Sequence, residues 1–340
     1  MTLTPIADKD WDVISLGETM LRLTPPPGIR LEGARQFDSF VAGSESNTLC
    51  AMARLGLRVS WRSQLPDNPN GRRVVSELRS HGVDTAGVMW SQNARLGAFY
   101  AELPPAPLGP QVTYDRAGSA FARLAPEEWE LGSIARARLL HLTGITPALG
   151  DGPRALAARA LAVAQEMGTP LSFDVNYRSR LWTAGDAAVA LEAACAQARV
   201  LICALGDARI LWGFDGEPQE VLAALGARFA RRGQPKTIVV TCGAQGAAML
   251  DNGRFEACDA LPCDGNHRFG SGDAFGAGFL HAWLRGQTGA KVETEAAAIS
   301  PLRYGNAAAA LKRCIAGDIA VITSAELESL LAQAGGGWFR

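Results

Sequence analysis

Lysine and long hydrophobic runs are both scarce in this sequence. Only four of its 340 residues are lysine, and the 33 lysine and arginine residues together are balanced by 34 aspartate and glutamate residues. The positive residues are interspersed with acidic ones, so a nucleic-acid-binding surface is not expected. Because no run of ~18 uncharged apolar residues occurs, no membrane-spanning helix is expected either. The first residues lack the basic and then apolar regions of a secretory signal, which indicates a cytoplasmic protein.

The cysteines are odd in number and scattered, and several catalytic motifs are missing. Of the seven cysteines only Cys258 and Cys263 lie close together, and no second pair accompanies them as a zinc site would require. We therefore expect reduced thiols. The phosphate-binding motif GxxxxGK(S/T), the metal-binding motif HExxH and the nucleophile motif GxSxG do not occur. The first predicted strand is followed only by Gly17-Glu18, which is a poor match to the dinucleotide-binding motif GxGxxG.

Short apolar runs alternate with longer segments of helical spacing. The runs predicted as strands lie at residues 13–17, 57–63, 139–144, 170–176, 199–205 and 236–243. The segments predicted as helices lie at 44–55, 70–80, 153–167, 187–198 and 217–232. Continuous apolar strands that alternate with helices predict an α/β fold with a mostly parallel sheet covered on both faces.

Two regions interrupt this alternation, at residues 18–41 and 86–116. Each holds short strands around a turn rich in proline and glycine. We expect them to form a small antiparallel sheet, a lid over the carboxyl ends of the core strands. Ligands of open α/β sheets bind in the crevice at those ends, and a lid there would exclude water from a reaction.

The segment RFGSGDAFGAGF, residues 268–279, runs from a glycine-containing loop into an apolar helix. Gly270 and Gly272 permit close approach by a ligand. The first N–H groups of the helix have no internal partner, and the helix dipole adds partial positive charge, which together suit a phosphate. Asp273, at the start of the helix, is placed to accept a proton from a hydroxyl that attacks the phosphate.

A simpler interpretation of the same residues is that Asp273 caps the helix and the glycines permit a tight turn. Gly276 and Gly278 continue within the helix, where each glycine costs ~1 kcal/mol relative to alanine. Close packing of the helix against the sheet would explain them.

GSGDAFGAGF resembles the signature GAGDxFxxGF of the ribokinase-like (PfkB) sugar kinases. The residues 42–47, AGSESN, followed by LCAMARLG, resemble the family's second signature, a glycine-rich turn before a helix that bears asparagine. The resemblance spans about residues 11–330. It implies a three-layer α/β/α core with a β lid, and phosphate transfer from ATP with Mg2+ to a sugar hydroxyl. It places the catalytic base on Asp273 and the anion hole on the amides of Gly270, Ser271 and Gly272.

Within the family the chain most resembles the 2-keto-3-deoxygluconate kinases. The resemblance is carried by Gly17-Glu18, residues 141–149 (HLTGITPAL), residues 174–178 (DVNYR), Leu181-Trp182 and residues 268–270 (RFG). A sugar acid needs a cationic partner, and arginine offers a planar fork for a carboxylate. The residues expected at the substrate are Arg178, Arg116, Tyr114 and Tyr100, with Gly43 and Asn47 at its hydroxyls. The alternative for either arginine is a surface salt bridge.

Fewer residues carry the resemblance at the predicted nucleotide-binding site. The segment TCGAQG resembles the family's TxGxxG, which places Thr241, Gly243, Ala244 and Gly246 beside the nucleotide. An ordinary β-turn is the alternative. Asn306 falls where the family has an adenine-side residue, and a solvent-facing asparagine is the alternative there.

Three positions depart from the family pattern. The family's Asn-x-x-Glu, which organises the water shell of the metal, aligns with Ala204 and Asp207. An aspartate that precedes the anion hole is replaced by His267, and a frequent lid tyrosine is replaced by Phe99, with Tyr100 on the opposite face of the strand. These changes leave the metal ligands undefined. They also keep open two alternatives, a kinase for a ketose or another sugar, and a weakly catalytic protein that binds a sugar or nucleotide. The resemblance further suggests a homodimer.

Overall fold

The computed structural model describes residues 9–104, 107–230, 234–287 and 300–335. The strands in these ranges are β1 (Trp11–Leu16), β2 (Met20–Thr24), β3 (Asp38–Ala42), β4 (Val59–Pro66), β5 (Val88–Ser91), β6 (Ala98–Glu102), β7 (Gln111–Asp115), β8 (Ala137–Thr143), β9 (Leu171–Asp174), β10 (Val200–Ala204), β11 (Thr237–Thr241), β12 (Ala247–Asp251) and β13 (Arg254–Cys258). The helices are α1 (Ser44–Arg54), α2 (Pro69–Ser80), α3 (Ile145–Ala148), α4 (Asp151–Glu166), α5 (Ala184–Gln197), α6 (Leu205–Trp212), α7 (Pro218–Phe229), α8 (Ser271–Gly286), α9 (Pro301–Arg313) and α10 (Ser324–Gly335).

A nine-stranded sheet forms the centre of the described molecule, in the order β13-β12-β11-β10-β9-β8-β1-β4-β5. The strands from β11 to β5 are parallel, whereas β12 and β13 are antiparallel at one edge. The predicted mostly parallel sheet is thus confirmed. Because parallel strands all end at the same edge, the loops after β1, β8, β9 and β10 lie side by side.

Both faces of the sheet are covered, as the continuous apolar strands require. Successive residues of a strand point to opposite faces, so Val13 and Ile14 enter two different cores. Val13 belongs to the core that contains residues of α1, α2, α8, α9 and α10. Ile14 belongs to the core that contains residues of α4, α5, α6 and α7. The result is the expected three-layer α/β/α arrangement.

The two glycines inside α8 differ in their surroundings. A Cβ atom on Gly278 would lie 2.5 Å from the carbonyl oxygen of Tyr304 and 2.8 Å from the Cβ of Ala308, both on α9. A Cβ on Gly276 would lie 3.8 Å from Ile202 in the sheet, an ordinary contact. Close packing therefore explains Gly278, but the partner is a neighbouring helix and not the sheet as expected.

The second sheet has the order β3-β2-β6-β7. Its outer pairs are antiparallel, but β2 and β6 are parallel, so the sheet is mixed where a wholly antiparallel one was expected. Val88–Ser91, which falls within the expected lid segment 86–116, pairs with β4 and extends the central sheet instead. Among the described helices none has the length and apolar character needed to cross a membrane.

Candidate active site

The amino termini of α1 and α8 meet above the carboxyl ends of the core strands, and Asp273 lies where they meet. The hydroxyl of Ser44 donates to Oδ1 of Asp273 at 2.7 Å, and Nδ2 of Asn47 donates to Oδ2 at 2.8 Å. The N-cap of α8 is Gly270, and Asp273 is the third residue of the helix. The interpretation of Asp273 as a helix cap is therefore wrong, because its carboxylate is bound by α1.

Burial raises the pKa of the Asp273 carboxyl above its ordinary value. The hydrogen bonds from Ser44 and Asn47 act against that rise, as do the positive charges of Arg178 and Lys312. A carboxylate with a raised pKa is a better proton acceptor than an exposed aspartate, provided that it stays ionised. Burial thus raises the proton affinity of Asp273, while the two hydrogen bonds and the two positive charges favour its ionised form.

The loop before α8 presents backbone N–H groups beside this carboxylate. Gly270 has φ +75°, and a Cβ there would lie 1.8 Å from the carbonyl oxygen of Asp318, so only glycine fits. The N–H groups of Gly270 and Gly272 have no hydrogen-bond partner in the described part of the chain. The N–H of Ser271 differs, since it donates to the carbonyl of Arg268 at 3.2 Å. Two of the three expected amides are therefore open toward a ligand.

Gly43, the N-cap of α1, has no room for a side chain. A Cβ there would lie 2.4 Å from the carbonyl oxygen of Glu18. The N–H of Gly43 donates to Oδ1 of Asn47 at 3.4 Å, while the amide nitrogen of the same asparagine binds Asp273. Asn47 thus orients the carboxylate of Asp273.

Sequence analysis did not assign Ser44 and Asn176 to the site. Nδ2 of Asn176 donates to the hydroxyl of Ser44 at 2.9 Å and to Oδ2 of Asp174 at 3.2 Å. Asn176 also adopts a left-handed φ of +42°, which asparagine tolerates better than most residues. The sequence signal that could have indicated Asn176 is the polar run that follows the buried strand β9.

Glu45 is a second buried carboxyl that sequence analysis did not assign. Its Oε1 accepts hydrogen bonds of 2.8 Å from the hydroxyls of Thr143 and Thr146, and burial raises its pKa. A Cβ on Gly17 would lie 2.4 Å from the Cδ of Glu45. Glu45 therefore joins α1 to the ends of β1 and β8.

Asp174 and Asp207 place two more carboxyls at the same edge of the sheet. Burial, together with the negative charges of Asp273 and Asp207, raises the pKa of Asp174 to about 7. Burial also raises the pKa of Asp207, whose Oδ2 accepts a 3.0 Å hydrogen bond from the N–H of Tyr177. In the described ranges, no group of three or more His, Cys, Asp or Glu residues is arranged to hold a metal ion directly.

The two predicted substrate arginines have different surroundings. Arg178 is exposed and forms no ion pair within the described ranges, although its charge lowers the pKa values of Asp174, Asp207 and Asp273. Arg116 donates from Nε to the buried carboxylate of Glu18 at 2.9 Å. Among the described residues Arg178 therefore lacks the salt bridge considered as its alternative, whereas Arg116 forms one that is buried and not at the surface.

A cavity of about 490 Å³ lies between the lid and the core. Arg116, Thr113 and Tyr114 line it from the lid side, and Ala148, Leu149 and Arg180 from the core side. Arg180 also donates to the carbonyl of Val112 at 2.5 Å. The cavity thus brings together two guanidinium groups and a phenol, which suits an anionic, hydroxylated ligand.

The lid strand β6 presents Phe99 and Tyr100 to opposite faces. The ring of Phe99 lies 6.0 Å from that of Phe269, next to the anion-hole loop, and 5.5 Å from that of Tyr114. The ring of Tyr100 lies 5.9 Å from that of Phe37. The structure therefore brings Tyr114 to the core-facing side of the lid and leaves Tyr100 on the other.

Four of the five predicted nucleotide residues lie at the end of β11 or in the turn that follows it, and the fifth, Asn306, lies on α9. Gly243 and Gly246 have φ values of +61° and +97°, and a Cβ on Gly246 would lie 2.1 Å from the carbonyl oxygen of Cys258. Asn306 is buried, and its Nδ2 donates to the carbonyls of Cys258 and Asp259 at 3.1 and 3.0 Å. The solvent-facing alternative for Asn306 is therefore wrong, because its amide fixes the segment that follows β13.

Comparison with known proteins places this geometry in a family. Residues 11–324 match the pfkB family of carbohydrate kinases. The 2-dehydro-3-deoxygalactonokinase of Haloferax volcanii is 40% identical over 94% of this chain and 96% of its own length. The 2-dehydro-3-deoxygluconokinase of Thermoproteus tenax is 32% identical over 86% of this chain and 88% of its own length.

A solved structure agrees in fold. The crystal structure of 2-dehydro-3-deoxygluconokinase from Thermotoga maritima superimposes with a TM-score of 0.84 at 28% identity, covering 94% of this chain and 98% of that one. The three-layer core and the small second sheet are those expected from the signature at residues 270–279. The chain belongs to the pfkB family of carbohydrate kinases.

Proposed function

We propose that this chain transfers the γ-phosphoryl group of ATP to a hydroxyl of a 2-keto-3-deoxy sugar acid, with Asp273 as the general base. The observation that carries the proposal is the position of Asp273 on α8. Its carboxylate is held by Ser44 and Asn47 beside the open N–H groups of Gly270 and Gly272. A proton acceptor and an anion site thus lie next to each other, as phosphoryl transfer requires.

The acceptor hydroxyl would give its proton to Asp273 as its oxygen attacks the γ-phosphorus, and the bond to the β-phosphate oxygen would break. The N–H groups of Gly270 and Gly272 would stabilise the negative charge on the transferring group, helped by the dipole of α8. The N–H of Ser271 is shared with Arg268, so it contributes less.

Two guanidinium groups support a sugar acid as acceptor. Arg178 is exposed, and its positive charge lies close enough to Asp273 to lower the pKa of that carboxyl. Arg116 lines the cavity together with Tyr114. Because the guanidinium of Arg116 already forms an ion pair with Glu18, Arg178 is the stronger candidate for binding the substrate carboxylate. Asn47 and Gly43 act mainly by shaping the turn and orienting Asp273.

Asp174 and Asp207 fit a magnesium ion that keeps its water shell. Mg2+ prefers oxygen ligands, retains several waters and binds through one or two carboxylates plus substrate phosphates. Burial is the main reason why the pKa of Asp174 is raised, and the negative charges of Asp273 and Asp207 add to it; a bound cation would offset both effects. When bound, Mg2+ would neutralise charge on the triphosphate. Asp207, in the first turn of α6, would be one of the two carboxylates that hold it.

The nucleotide would lie along the segment 241–246. Thr241 ends β11, and Gly243, Ala244 and Gly246 form the turn that follows. Asn306 fixes the segment after β13, against which Gly246 packs, so its role is to shape the wall of the nucleotide site.

The substrate is tested by an ATP-turnover screen with 2-keto-3-deoxygluconate, 2-keto-3-deoxygalactonate, fructose and ribose. We expect both sugar acids to exceed both neutral sugars in kcat/KM by at least about tenfold, the effect of one charge-assisted hydrogen bond. The two acids are C4 epimers, and the relative from Haloferax volcanii makes the galactonate form the second candidate. Preference for a neutral sugar would contradict the substrate class. Saturable binding of ATP without turnover would favour the weakly catalytic alternative that Ala204 and His267 suggest.

A further inference from the structure

Lys312, in the last turn of α9, is a charged side chain in the interior that the proposed reaction leaves without a role. Its side chain is 0% exposed. Its Nζ donates to the carbonyl of Ile315 at 2.9 Å. Burial lowers its pKa to about 8, and the positive charge of Arg22 acts in the same direction, whereas the negative charges of Asp318 and Asp273 oppose it.

The loop after Lys312 supports the anion hole from behind. The N–H of His267 donates to the carbonyl of Arg313 at 3.1 Å, so the segment before the anion hole runs along the end of α9. Farther along, the carbonyl of Asp318 occupies the space where a Cβ of Gly270 would lie. The backbone of residues 313–318 is therefore in contact with residues 265–270.

Two further buried charged side chains, Arg22 and Asp318, lie in the same layer behind the anion hole as Lys312. The carboxylate of Asp318 accepts a 2.7 Å hydrogen bond from Nε of Arg22, a residue of the lid strand β2. The guanidinium of Arg22 lies between the rings of Phe40 and Phe269, 4.4 and 4.7 Å from their centroids. The charges of Arg22 and Asp318 neutralise each other. The ammonium of Lys312 is then the one unbalanced charge of these three side chains, and it lies behind the amides of residues 270–272.

We propose that Lys312 is a built-in cation of the anion hole, a positioning residue whose buried ammonium holds the loop 313–318 in place and adds positive potential behind Gly270. The inference rests on the proposed phosphoryl transfer. Charges in a water-poor interior act over longer distances than exposed ones, so an ammonium in this layer stabilises negative charge on a phosphoryl group without touching it. It also favours the ionised form of Asp273.

The test is Lys312→Gln, which removes the charge but keeps a donor for the carbonyl of Ile315. Lys236→Gln is the matched control, because Lys236 is also buried and donates to the carbonyls of Cys195 and Ala198 at 2.6 and 2.8 Å, next to the amino-terminal end of β11. At pH 7 we expect Lys312→Gln to lower kcat about tenfold to a hundredfold, the usual effect of a group that supports a site from the second layer. The KM of the acceptor should not change, and the control should keep wild-type constants.

Nucleotide binding gives a readout that does not need turnover. Only ATP places a γ-phosphate at the anion hole, so Lys312→Gln should weaken binding of ATP and leave binding of ADP unchanged in calorimetry. In Lys312→Ala, methylammonium should restore part of the lost affinity and rate, whereas tetramethylammonium, which is too large and has no N–H, should not.

The outcomes separate this inference from the proposed function. A wild-type protein that phosphorylates none of the sugars contradicts the proposed function, while the comparison of ATP with ADP still decides the role of Lys312. A Lys312→Gln variant with wild-type affinity for ATP and wild-type kcat overturns the inference. Equal losses in Lys312→Gln and Lys236→Gln overturn it as well, since they would reflect only a disturbed interior.

Discussion

Asn47 and Asp273 are joined by a 2.8 Å hydrogen bond across 226 residues of sequence. Ser44 binds the other oxygen of the same carboxylate. Both donors lie in the first turns of α1, so the orientation of the proposed base on α8 depends on how these two helices pack. That dependence leads to a prediction about pH.

Asn47→Leu should move the acid limb of the kcat profile to higher pH. The hydrogen bond from Asn47 stabilises the carboxylate and opposes the rise in pKa caused by burial. Without it the pKa of Asp273 rises further, so the ionised base is lost at a higher pH as the solution is acidified. The measurement is kcat against pH with saturating ATP and acceptor.

Thr48→Val is the control for that experiment. The hydroxyl of Thr48 lies 3.4 Å from the backbone carbonyl of Asp273 and does not bind its carboxylate. We expect its acid limb to stay in the wild-type position. Equal profiles for Asn47→Leu and wild type would show that Asn47 does not set the protonation of the base.

Arg178→Leu should raise the KM of a sugar acid about tenfold to a hundredfold, because a hydrogen bond to a charged group contributes ~1.5–3 kcal/mol. The KM of ATP should change little. Arg228→Leu is the control, since Arg228 is a half-exposed arginine that pairs with Glu192 on the outer helices. If both variants bind the acid as wild type does, Arg178 is not the partner of its carboxylate.

The two glycines of α8 give a matched test of helix packing. Gly278→Ala would drive a methyl group into the Tyr304 carbonyl and Ala308, and overpacking of this kind costs about 1–3 kcal/mol of unfolding free energy. Gly276→Ala has room and removes the entropic cost of a helical glycine, so it should be neutral or stabilising by up to ~1 kcal/mol. Denaturant unfolding of both variants measures the difference, and an equal effect would contradict the packing described here.

Much of this architecture could be predicted because its signals are local. Strand and helix periodicity indicated the parallel core, and the run from Gly270 to Asp273 indicated an anion site at a helix terminus. The pairing partner of a strand, in contrast, depends on residues far away in the sequence. Val88–Ser91 lies in a segment with lid-like composition, yet it extends the central sheet because β4 offers it a free edge.

The contacts of the site were largely beyond sequence reasoning. Ser44 and Asp273 are 229 residues apart, and nothing in either segment indicates that they share a hydrogen bond. Lys312 illustrates the same limit, since a lysine near the end of an alanine-rich helix is usually solvated and here is fully buried. Tyr100 was expected at the substrate, but the alternation of β6 gives the core-facing position to Phe99.

The central claim is that Asp273 accepts the proton of the acceptor hydroxyl. Its most direct test is steady-state phosphorylation of 2-keto-3-deoxygluconate and 2-keto-3-deoxygalactonate by wild type and Asp273→Asn, with binding of ATP and acceptor measured in parallel. The account predicts near-normal binding and a fall in kcat of at least ~10² to 10⁴, the usual contribution of a general base. Turnover by Asp273→Asn within a few fold of wild type would contradict it.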